Sequence, residues 1–347
     1  MSGVQTLTVA AGEQGQRLDR WLKRRFPQVT QGFVEKSCRK GDIRVDGGRV
    51  KASTRVEEGQ AIRVPPLPDC RAPAAPRRDK VVQADADMIR RCVIYRDDHI
   101  LALNKPPGLA SQGGSGQGAR HVDGMGDALR FDAEEQPRLV HRLDKDTSGI
   151  MLMARNRLTA AALAEAFKSR DTRKIYWAAV AGVPTPRMGT IKYGLVKAGG
   201  AGDGGEKMRA LHPDEVPQVK GAKNATSDYA VLDALGSRAS WVALVPITGR
   251  THQLRAHMAE LGHPIVGDGK YGGSGQENQG DGWGAHLGGE VSRKLHLHAR
   301  SLLLTHPITG ARLTLSAPLP PHMVQTWDML GWSGADVPLD PFEDDDG

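Results

Sequence analysis

The stretch that decides the fold is HRLDKDTSGIMLMA, residues 141–154. Its first nine residues hold two acids, two strongly basic side chains, a histidine and two hydroxyls, and they end at Gly149. The five residues that follow are apolar, which is typical of a buried strand. A charged loop directly before a buried strand predicts one of two things. It is either a salt-bridged turn that caps the strand, or a site where Asp144 or Asp146 takes part in chemistry.

Length and composition indicate a soluble protein of two domains. The chain has 347 residues, of which 39% are hydrophobic and 25% charged. It has no apolar run near the roughly 20 residues that span a bilayer, and its N-terminus does not resemble an export signal. We therefore expect a cytoplasmic protein that does not enter membranes. Its three cysteines are far apart in sequence, which favours neither a disulfide framework nor a cysteine zinc site.

The charge is unevenly distributed. The net charge is +7, but residues 333–347 carry six acids and no lysine or arginine. The preceding 332 residues therefore have a net charge of +13, with 47 basic and 34 acidic side chains. A body this basic is compatible with a polyanionic partner such as a nucleic acid.

The chain is predicted to divide into four segments. Proline-rich sequence after Pro65 marks a linker, and the acid-rich C-terminus is typical of a disordered tail. The segments are a small domain at 1–65, a linker at 66–88, a large domain at 89–330 and a tail at 331–347.

The small domain is predicted to be two helices and a small sheet. Leu18, Trp21, Leu22 and Phe26 recur at helical spacing, and a second helix is expected from Thr30 to Arg39. The sequence IRVDGGRV then predicts a hairpin with an Asp-Gly turn.

The large domain is predicted to alternate strands with a few helices. A helix is expected over 157–170, with Asn156 as its cap and with Leu158, Leu163 and Phe167 on one buried stripe. The glycine-rich, charged stretch at 197–222 is expected to be an exposed insertion.

Several common catalytic motifs are absent from the sequence. GSGQGA at 114–119 formally matches a dinucleotide fingerprint, but no apolar helix follows it and two prolines separate it from the preceding strand. No HExxH, phosphate-binding P-loop or GxSxG motif is present. No metal site is predicted, and carboxylate chemistry at Asp144 or Asp146 remains.

Five blocks resemble, in order, the pseudouridine synthases that modify ribosomal and transfer RNA. The sequence HRLDKDTSG is similar to that family's signature. The other blocks are LNKPPGL, KIYWAAVAG, PITGRTHQLRAHM and GHPIVGDGKYGG. The segment from LDRWLKRRFP to AIRVPP resembles the S4 RNA-binding domain of the same family. Together these similarities cover most of residues 16–320, and RKGDIRVDGGRVK and GGSG are most similar to the subfamily that acts on large-subunit ribosomal RNA.

The resemblance implies an α+β fold. The catalytic domain is expected to have a mixed, mostly antiparallel sheet with the active cleft across its middle, preceded by a small S4-like α+β domain. The implied reaction detaches uracil from its ribose, turns it and rejoins it through carbon 5, without a cofactor or metal. The implied partner is ribosomal RNA of the large subunit or of its assembly precursor, bound by a monomer.

The resemblance also implies roles for three catalytic residues. Asp144 matches the essential carboxylate, acting either as a nucleophile or as the base that removes a ribose proton. Arg250 matches the residue that pairs with this aspartate. Tyr176 matches the aromatic side chain that packs on the uracil face, and its hydroxyl is a candidate for moving the carbon 5 proton.

Further residues are predicted to bind RNA or to support the site. Arg142 matches the residue that fills the space left by the flipped uridine or contacts its phosphate. His141, His252 and Arg255 are predicted to support the site, His141 by ordering the loop and the other two by bracing the Arg250 turn. The remaining predicted RNA contacts are Lys105, Lys174, Arg17, Arg20, Lys40, Arg44, Arg49 and Lys51.

Three functions compete at this level. The first is an RNA uridine isomerase, on ribosomal or transfer RNA. The second is a non-catalytic RNA-binding factor for ribosome assembly, which would be expected to have lost Asp144, Tyr176 or Arg250. The third is a carboxylate-dependent enzyme on a small anionic metabolite, which would not need the basic S4-like domain. The sequence favours the first.

Overall fold

The computed structural model contains two compact units, Met1–Arg78 and Asp79–Gly347. None of the helices it describes is long and apolar enough to pass through a bilayer. The middle of the predicted linker (68–81) and the glycine motif at 114–119 lie outside the described residues. The structure describes residues 3–67, 82–113, 120–169, 171–198, 207–272, 291–335 and 337–342.

The first unit packs two helices on a four-stranded sheet, as the hydrophobic spacing predicts. Trp21 and Val34 are among the buried residues that the helices contribute to its core. Thr30 Oγ1 caps the second helix by accepting from the backbone N–H of Phe33 at 3.3 Å, and Gly41 ends it at a φ of +82°. The elements are β1 (Gln5–Thr8), α1 (Leu18–Arg25), α2 (Gln31–Lys40), β2 (Arg44–Val45), β3 (Gly48–Arg49) and β4 (Ala61–Val64), in the sheet order β1-β4-β2-β3.

The predicted Asp-Gly hairpin is present. Asp46 and Gly47 have φ values of +47° and +74°, so both central residues are left-handed, as a type I′ turn requires. The turn connects β2 to β3, with Val45 opposite Gly48. The local sequence was sufficient to predict this turn because its geometry depends on the two central residues alone.

The second unit is built on one large sheet. Its strands are β5 (Val93–Arg96), β6 (Ile100–Lys105), β7 (Arg138–Leu139), β8 (Ser148–Ala154), β9 (Arg173–Ala181), β10 (Met188–Lys197), β11 (Met208–Leu211), β12 (Lys223–Leu235), β13 (Ala239–Pro246), β14 (Leu297–Thr305) and β15 (Arg312–Ser316). Their order is β11-β10-β12-β13-β9-β14-β8-β6-β5, with β15 also on β14 and β7 also on β8. They run mostly antiparallel, and the β14–β8 contact is parallel.

The middle of this sheet positions the chemistry predicted from the sequence. Every residue of β8 is buried, so the charged loop at 141–147 is joined directly to a strand in the core of the sheet. Two strands away, β9 places Tyr176 opposite Leu244 on β13 and Ala299 on β14. Because β14 lies between β8 and β9, the loop and the tyrosine belong to the same part of the sheet.

In the part of the second unit that the structure describes, four α-helices accompany the sheet, and two of them differ from the prediction. The third helix of the chain begins at Gln83, inside the predicted linker, because Ala86 and Ile89 have a core to pack against. The predicted helix over 157–170 ends at Ala166, and Leu158 is 81% exposed rather than part of the buried stripe. The helices are α3 (Gln83–Arg91), α4 (Arg157–Ala166), α5 (Gln253–Glu260) and α6 (Pro321–Leu330).

Two regions predicted to be exposed or disordered are partly packed. Within the expected insertion at 197–222, β11 pairs with β10 and its Leu211 is buried. Within the expected tail at 331–347, Trp332 is buried against Trp241 and Trp327. Both corrections have one cause, since the apolar residues involved find partners that are distant in sequence.

Gly149 is predicted to be essential for joining β8 to β14. Its φ is +106°, and a Cβ there would lie 2.6 Å from the backbone nitrogen of Ala299. We expect Gly149→Ala to lower the free energy of unfolding by about 2–4 kcal/mol, measured by urea denaturation. Gly262→Ala is the matched control, because Gly262 also has a positive φ but open space around it. Equal losses in the two variants would contradict the steric argument.

Candidate active site

A cavity of about 540 Å³ lies beside the charged loop. Its wall includes parts of the loop at 141–147, of β9 and of the turn that leads into α5. Segments that are distant in sequence thus meet around one space. Eight residues predicted to act in the site line it together: His141, Arg142, Asp144, Lys174, Tyr176, Arg250, His252 and Arg255.

Asp144 is the carboxylate of this cavity that faces basic side chains. Its Oδ2 lies 3.5 Å from Nη1 of Arg255 and 3.8 Å from Nε2 of His252. Its side chain is 26% exposed, so an incoming ligand can reach it. The distance given for each of these two contacts is to Oδ2 of Asp144.

The expected pairing of Arg250 with Asp144 is wrong in this structure. Arg250 is exposed at the cavity wall, and its Nε donates to the carbonyl of Asn224 at 3.2 Å. Arg255, predicted only as a support, takes the place beside the carboxylate. Helical geometry explains the difference, because residue 255 lies within α5 whereas residue 250 lies in the turn before it.

Arg255 is held in place by a buried ion pair with Asp268. Nε and Nη2 of Arg255 donate to the two carboxylate oxygens of Asp268, each at 2.7 Å. Burial alone would lower the pKa of Arg255, but the hydrogen bonds and charge of Asp268 raise it. Arg255 therefore remains a cation, and its third nitrogen is directed toward Asp144.

Gln253 builds the turn that carries Arg250. Its Oε1 accepts from the hydroxyl of Thr248 at 2.6 Å and from the backbone N–H of Arg250 at 3.0 Å. Its Nε2 donates to the carbonyl of Thr226 and to the hydroxyl of Ser227. A buried amide with all these partners fixes the backbone on this side of the cavity.

Tyr176 lies in the cavity wall on β9. Burial, and then the negative charge of Asp144, raise the pKa of its phenol above the ordinary value. The hydroxyl is therefore protonated at neutral pH and is a hydrogen-bond donor rather than a base. Its ring supplies an aromatic wall to the cavity.

Lys105 does not lie on an RNA-facing surface, contrary to its prediction as an RNA contact. It is fully buried, and its Nζ donates to the carbonyls of Pro106, Leu109 and Lys145 at 2.7–3.0 Å. Burial lowers the pKa of its ammonium to about 7, against the opposing charges of Asp146 and Asp144. Its role here is to tie the NKPPG turn to the charged loop.

His141 orders the same loop. Its Nε2 accepts from the backbone N–H of Leu152 at 2.8 Å, and its ring packs on Phe167 at 4.6 Å between centroids. Burial lowers its pKa to about 3, so the ring is neutral. Lys174 contacts the same Phe167 ring, with its Nζ 5.3 Å from the ring centre.

Four functional contributors were not singled out from the sequence. Ser111 brackets the loop, because its hydroxyl donates to the carbonyl of Leu143 at 2.6 Å and accepts from the N–H of the same residue. Asp268 and Tyr271 lie in the block GDGKYGG, which was quoted without choosing a residue. Gln253 is inside the block PITGRTHQLRAHM. The family blocks were a sufficient signal for all except Ser111.

The predicted RNA contacts of the first unit have different surroundings. Arg17 pairs with the buried Asp19 at 2.5 Å, and Arg44 donates to the carbonyls of Gly41 and Gly47. These two arginines therefore also brace their own domain. Arg20, Lys40, Arg49 and Lys51 are exposed.

Among the residues that the structure describes, no group of three or more His, Cys, Asp or Glu side chains is arranged to hold a metal ion.

Comparison with known proteins identifies the family. Residues 99–260 match the family described as RNA pseudouridylate synthase, and residues 16–62 match the S4 domain. The match at 99–260 contains the charged loop, Tyr176 and all of α5. The chain belongs to the RNA pseudouridine synthase family.

Relatives of known function are similar over almost the whole chain. The ribosomal large subunit pseudouridine synthase C of Yersinia pestis is 34% identical over 91% of this chain and 92% of its own length. The protein of the same name from Escherichia coli K12 is 34% identical over 91% and 93%. The Vibrio cholerae protein is 32% identical over 93% and 95%.

Solved structures share the fold. Human RNA pseudouridylate synthase domain containing 4 superposes with a TM-score of 0.56 at 29% identity, covering 72% of this chain and 97% of its own. Human RNA pseudouridylate synthase domain containing 1 gives a TM-score of 0.51 at 27% identity, covering 66% and 83%. The α+β fold with a mixed, mostly antiparallel sheet is thereby confirmed.

Replacement of each arginine by lysine distinguishes the role of Arg255 from that of Arg250. Lysine cannot form the two-pronged contact with Asp268, so Arg255→Lys should lower kcat at least about 10-fold and the free energy of unfolding by about 3 kcal/mol. Arg250→Lys should leave stability unchanged, because Arg250 is exposed. Steady-state kinetics and urea denaturation measure both. A larger kcat loss in a stable Arg250→Lys protein would reinstate the pairing expected from the sequence.

Replacing Lys105 distinguishes a brace from a phosphate contact. Lys105→Met removes the lysine donor from three carbonyls, of which, among the described residues, only that of Lys145 also accepts from the N–H of Gly108, so the free energy of unfolding should fall by about 2–4 kcal/mol. The salt dependence of RNA binding should not change, because a buried lysine neutralises no phosphate. Lys145→Met, exposed on the same loop, is the stability control. A stable Lys105→Met protein with a shallower salt slope would mean that Lys105 contacts RNA.

Proposed function

We propose that the protein converts specific uridines of large-subunit ribosomal RNA to pseudouridine, with Asp144 as the carboxylate that reacts. The observation that carries this proposal is the position of Asp144. It lies beside Arg255 and His252, and it is reachable from a cavity. The relatives named ribosomal large subunit pseudouridine synthase C support the choice of large-subunit ribosomal RNA.

The cavity suits a nucleotide that has left its stack. Its volume lies within the roughly 300–1,000 Å³ of small-ligand pockets. The ring of Tyr176 is a surface for the uracil, and stacking of this kind is worth about 1–3 kcal/mol per base. Arg142 is exposed at the same cavity, where its cation can reach a phosphate or the space that the base vacates.

The chemistry needs an ionised carboxylate and a proton donor. During the isomerisation the N1–C1′ bond is replaced by a C5–C1′ bond, carbon 5 loses a proton and N1 gains one, so the atoms balance. Asp144 acts as the nucleophile or as the base on the ribose. The protonated hydroxyl of Tyr176 is suited to relaying the carbon 5 proton once that carbon has been rejoined.

The exposed cations of the first unit complete the proposal. Arg20, Lys40, Arg49 and Lys51 are available to phosphates, and each phosphate contact steepens the salt dependence of binding. We propose that the protein works as a monomer in the cytoplasm. Transfer RNA is the alternative substrate.

A pseudouridine map tests the reaction, the substrate and the carboxylate together. Cells that lack the protein would be complemented with wild type, with Asp144→Asn or with Asp233→Asn, the last on an exposed residue of β12 away from the cavity. We expect sites in large-subunit ribosomal RNA to vanish without the protein and with Asp144→Asn, and to return with the other two. An activity loss of at least about 10³-fold is expected for purified Asp144→Asn.

Two outcomes would contradict the proposal. Sites that change in transfer RNA instead would keep the reaction and replace the substrate. Maps that are identical in every strain, for both RNA classes, would favour a non-catalytic role in ribosome assembly.

A further inference from the structure

His252 occupies a strained position at the start of α5. Its φ and ψ are +51° and 22°, in the left-handed region that residues other than glycine enter at a cost. Its side chain is only 9% exposed, and it lies between the loop that carries Asp144 and the turn that carries Tyr271. The surroundings must therefore hold this histidine in place, and such strain is often found at functional sites.

The hydrogen bonds of Tyr271 determine which nitrogen of His252 carries the proton. The backbone N–H of Met208 can only donate, and it donates to the hydroxyl oxygen of Tyr271 at 2.8 Å. Nδ1 of His252 lies 3.0 Å from the same hydroxyl. Within the described part of the chain, this nitrogen is the acceptor in reach of the phenolic proton. Nδ1 therefore accepts, and in the neutral ring the proton is on Nε2.

Nε2 is the nitrogen that faces the catalytic carboxylate. It lies 3.8 Å from Oδ2 of Asp144, and Nη1 of Arg255 lies 3.5 Å from the same oxygen. The contact of Arg255 is at the long limit of a hydrogen bond, and the contact of His252 is longer than one. Contacts of this kind commonly shorten when a substrate closes the site.

We propose that Tyr271 holds His252 in the Nε2–H tautomer, so that His252 and Arg255 together hold Oδ2 of Asp144 and orient its carboxylate for the uridine. This inference rests on the proposed function. His252 and Tyr271 are positioning residues, since they act through Asp144. The ring of Tyr271 has a second contact, because the Arg255 guanidinium lies 5.3 Å from its centre.

The charges around His252 favour a neutral ring. Burial lowers its pKa, Asp144 opposes this shift, and Arg255 and Lys270 reinforce it, while Asp268 raises the pKa slightly. The bond from Tyr271 also favours the neutral form, because only a neutral Nδ1 accepts. Removing that bond should raise the pKa of His252. The acidic limb of the pH–rate profile should then move to higher pH, because an imidazolium would pair with Asp144 and weaken it as a nucleophile or base.

Tyr271→Phe removes the hydroxyl and keeps the ring that contacts Arg255. With a transcript of large-subunit ribosomal RNA as substrate, we expect kcat to fall about 10-fold with KM unchanged. We also expect the acidic limb of the pH–rate profile to move to higher pH. Tyr229→Phe is the matched control. Tyr229 is a buried tyrosine whose hydroxyl donates to the carbonyl of Pro186 at 2.9 Å, and it does not line the cavity. That variant should keep the kcat and the pH profile of the wild type.

Two substitutions of His252 test the donor itself. Asparagine tolerates the left-handed backbone but is too short to reach Asp144, so His252→Asn should lower kcat about 10–100-fold. Glutamine places an N–H near the position of Nε2, so His252→Gln should recover part of that loss. Thermal melting of each variant confirms that it is folded. Full activity of His252→Asn would refute the proposed donor role, and so would a His252→Gln protein that recovers none of the loss.

The tautomer can be read without any reaction. Long-range ¹H–¹⁵N spectra of histidine-labelled full-length protein distinguish Nε2–H from Nδ1–H, and the His252 signal is identified by its loss in His252→Gln. We expect Nε2–H in the wild type and a mixture in Tyr271→Phe. An Nδ1–H signal in the wild type, or a Tyr271→Phe protein with unchanged kcat, would overturn the inference. A wild type that makes no pseudouridine would instead refute the proposed function, while the spectrum still decides the tautomer.

Discussion

The buried ion pair between Arg255 and Asp268 is the interaction on which the candidate site depends. Placing two charges inside a protein is costly, and the cost is offset only when their hydrogen bonds are complete. Asp268 meets that condition, because it also accepts from the backbone N–H groups of Lys270 and Tyr271 at 3.0 and 3.2 Å. The pair joins α5 to the turn that follows it in the chain, where Asp268 lies. It leaves one nitrogen of Arg255 for Asp144. The carboxylate of Asp144 is thus contacted by one member of a pair of charges that belong to other elements.

Hydrogen bonds from neighbouring residues to backbone groups hold the loop that carries Asp144. The carbonyl of Lys145 accepts from Nζ of Lys105 and from the N–H of Gly108, and Leu143 exchanges two hydrogen bonds with Ser111. These bonds use backbone groups of the loop. Its charged side chains remain directed toward the cavity and solvent. A loop fixed in this way keeps its carboxylate in one place while the RNA binds, which is what positioning a reacting group requires.

Residues of the same type have different roles in this protein. Lys105 braces the loop from inside, whereas Lys40 and Lys51 are exposed on the first unit. Arg255 orients the carboxylate, whereas Arg250 lies in a turn built by Gln253. Residue type and spacing do not separate these roles. Burial and the identity of the hydrogen-bond acceptors do.

The sequence by itself determined what depends on near neighbours or on family blocks. The Asp-Gly hairpin, the Asn156 cap and the buried strand after the charged loop all follow from short stretches. The family blocks also predict Asp144 as the reacting carboxylate. Only the tertiary structure decided which arginine faces Asp144, that Lys105 is buried, and that Trp332 packs rather than extends. The physical reason is that each of these depends on partners far away in the chain, and periodicity and composition do not contain those distances.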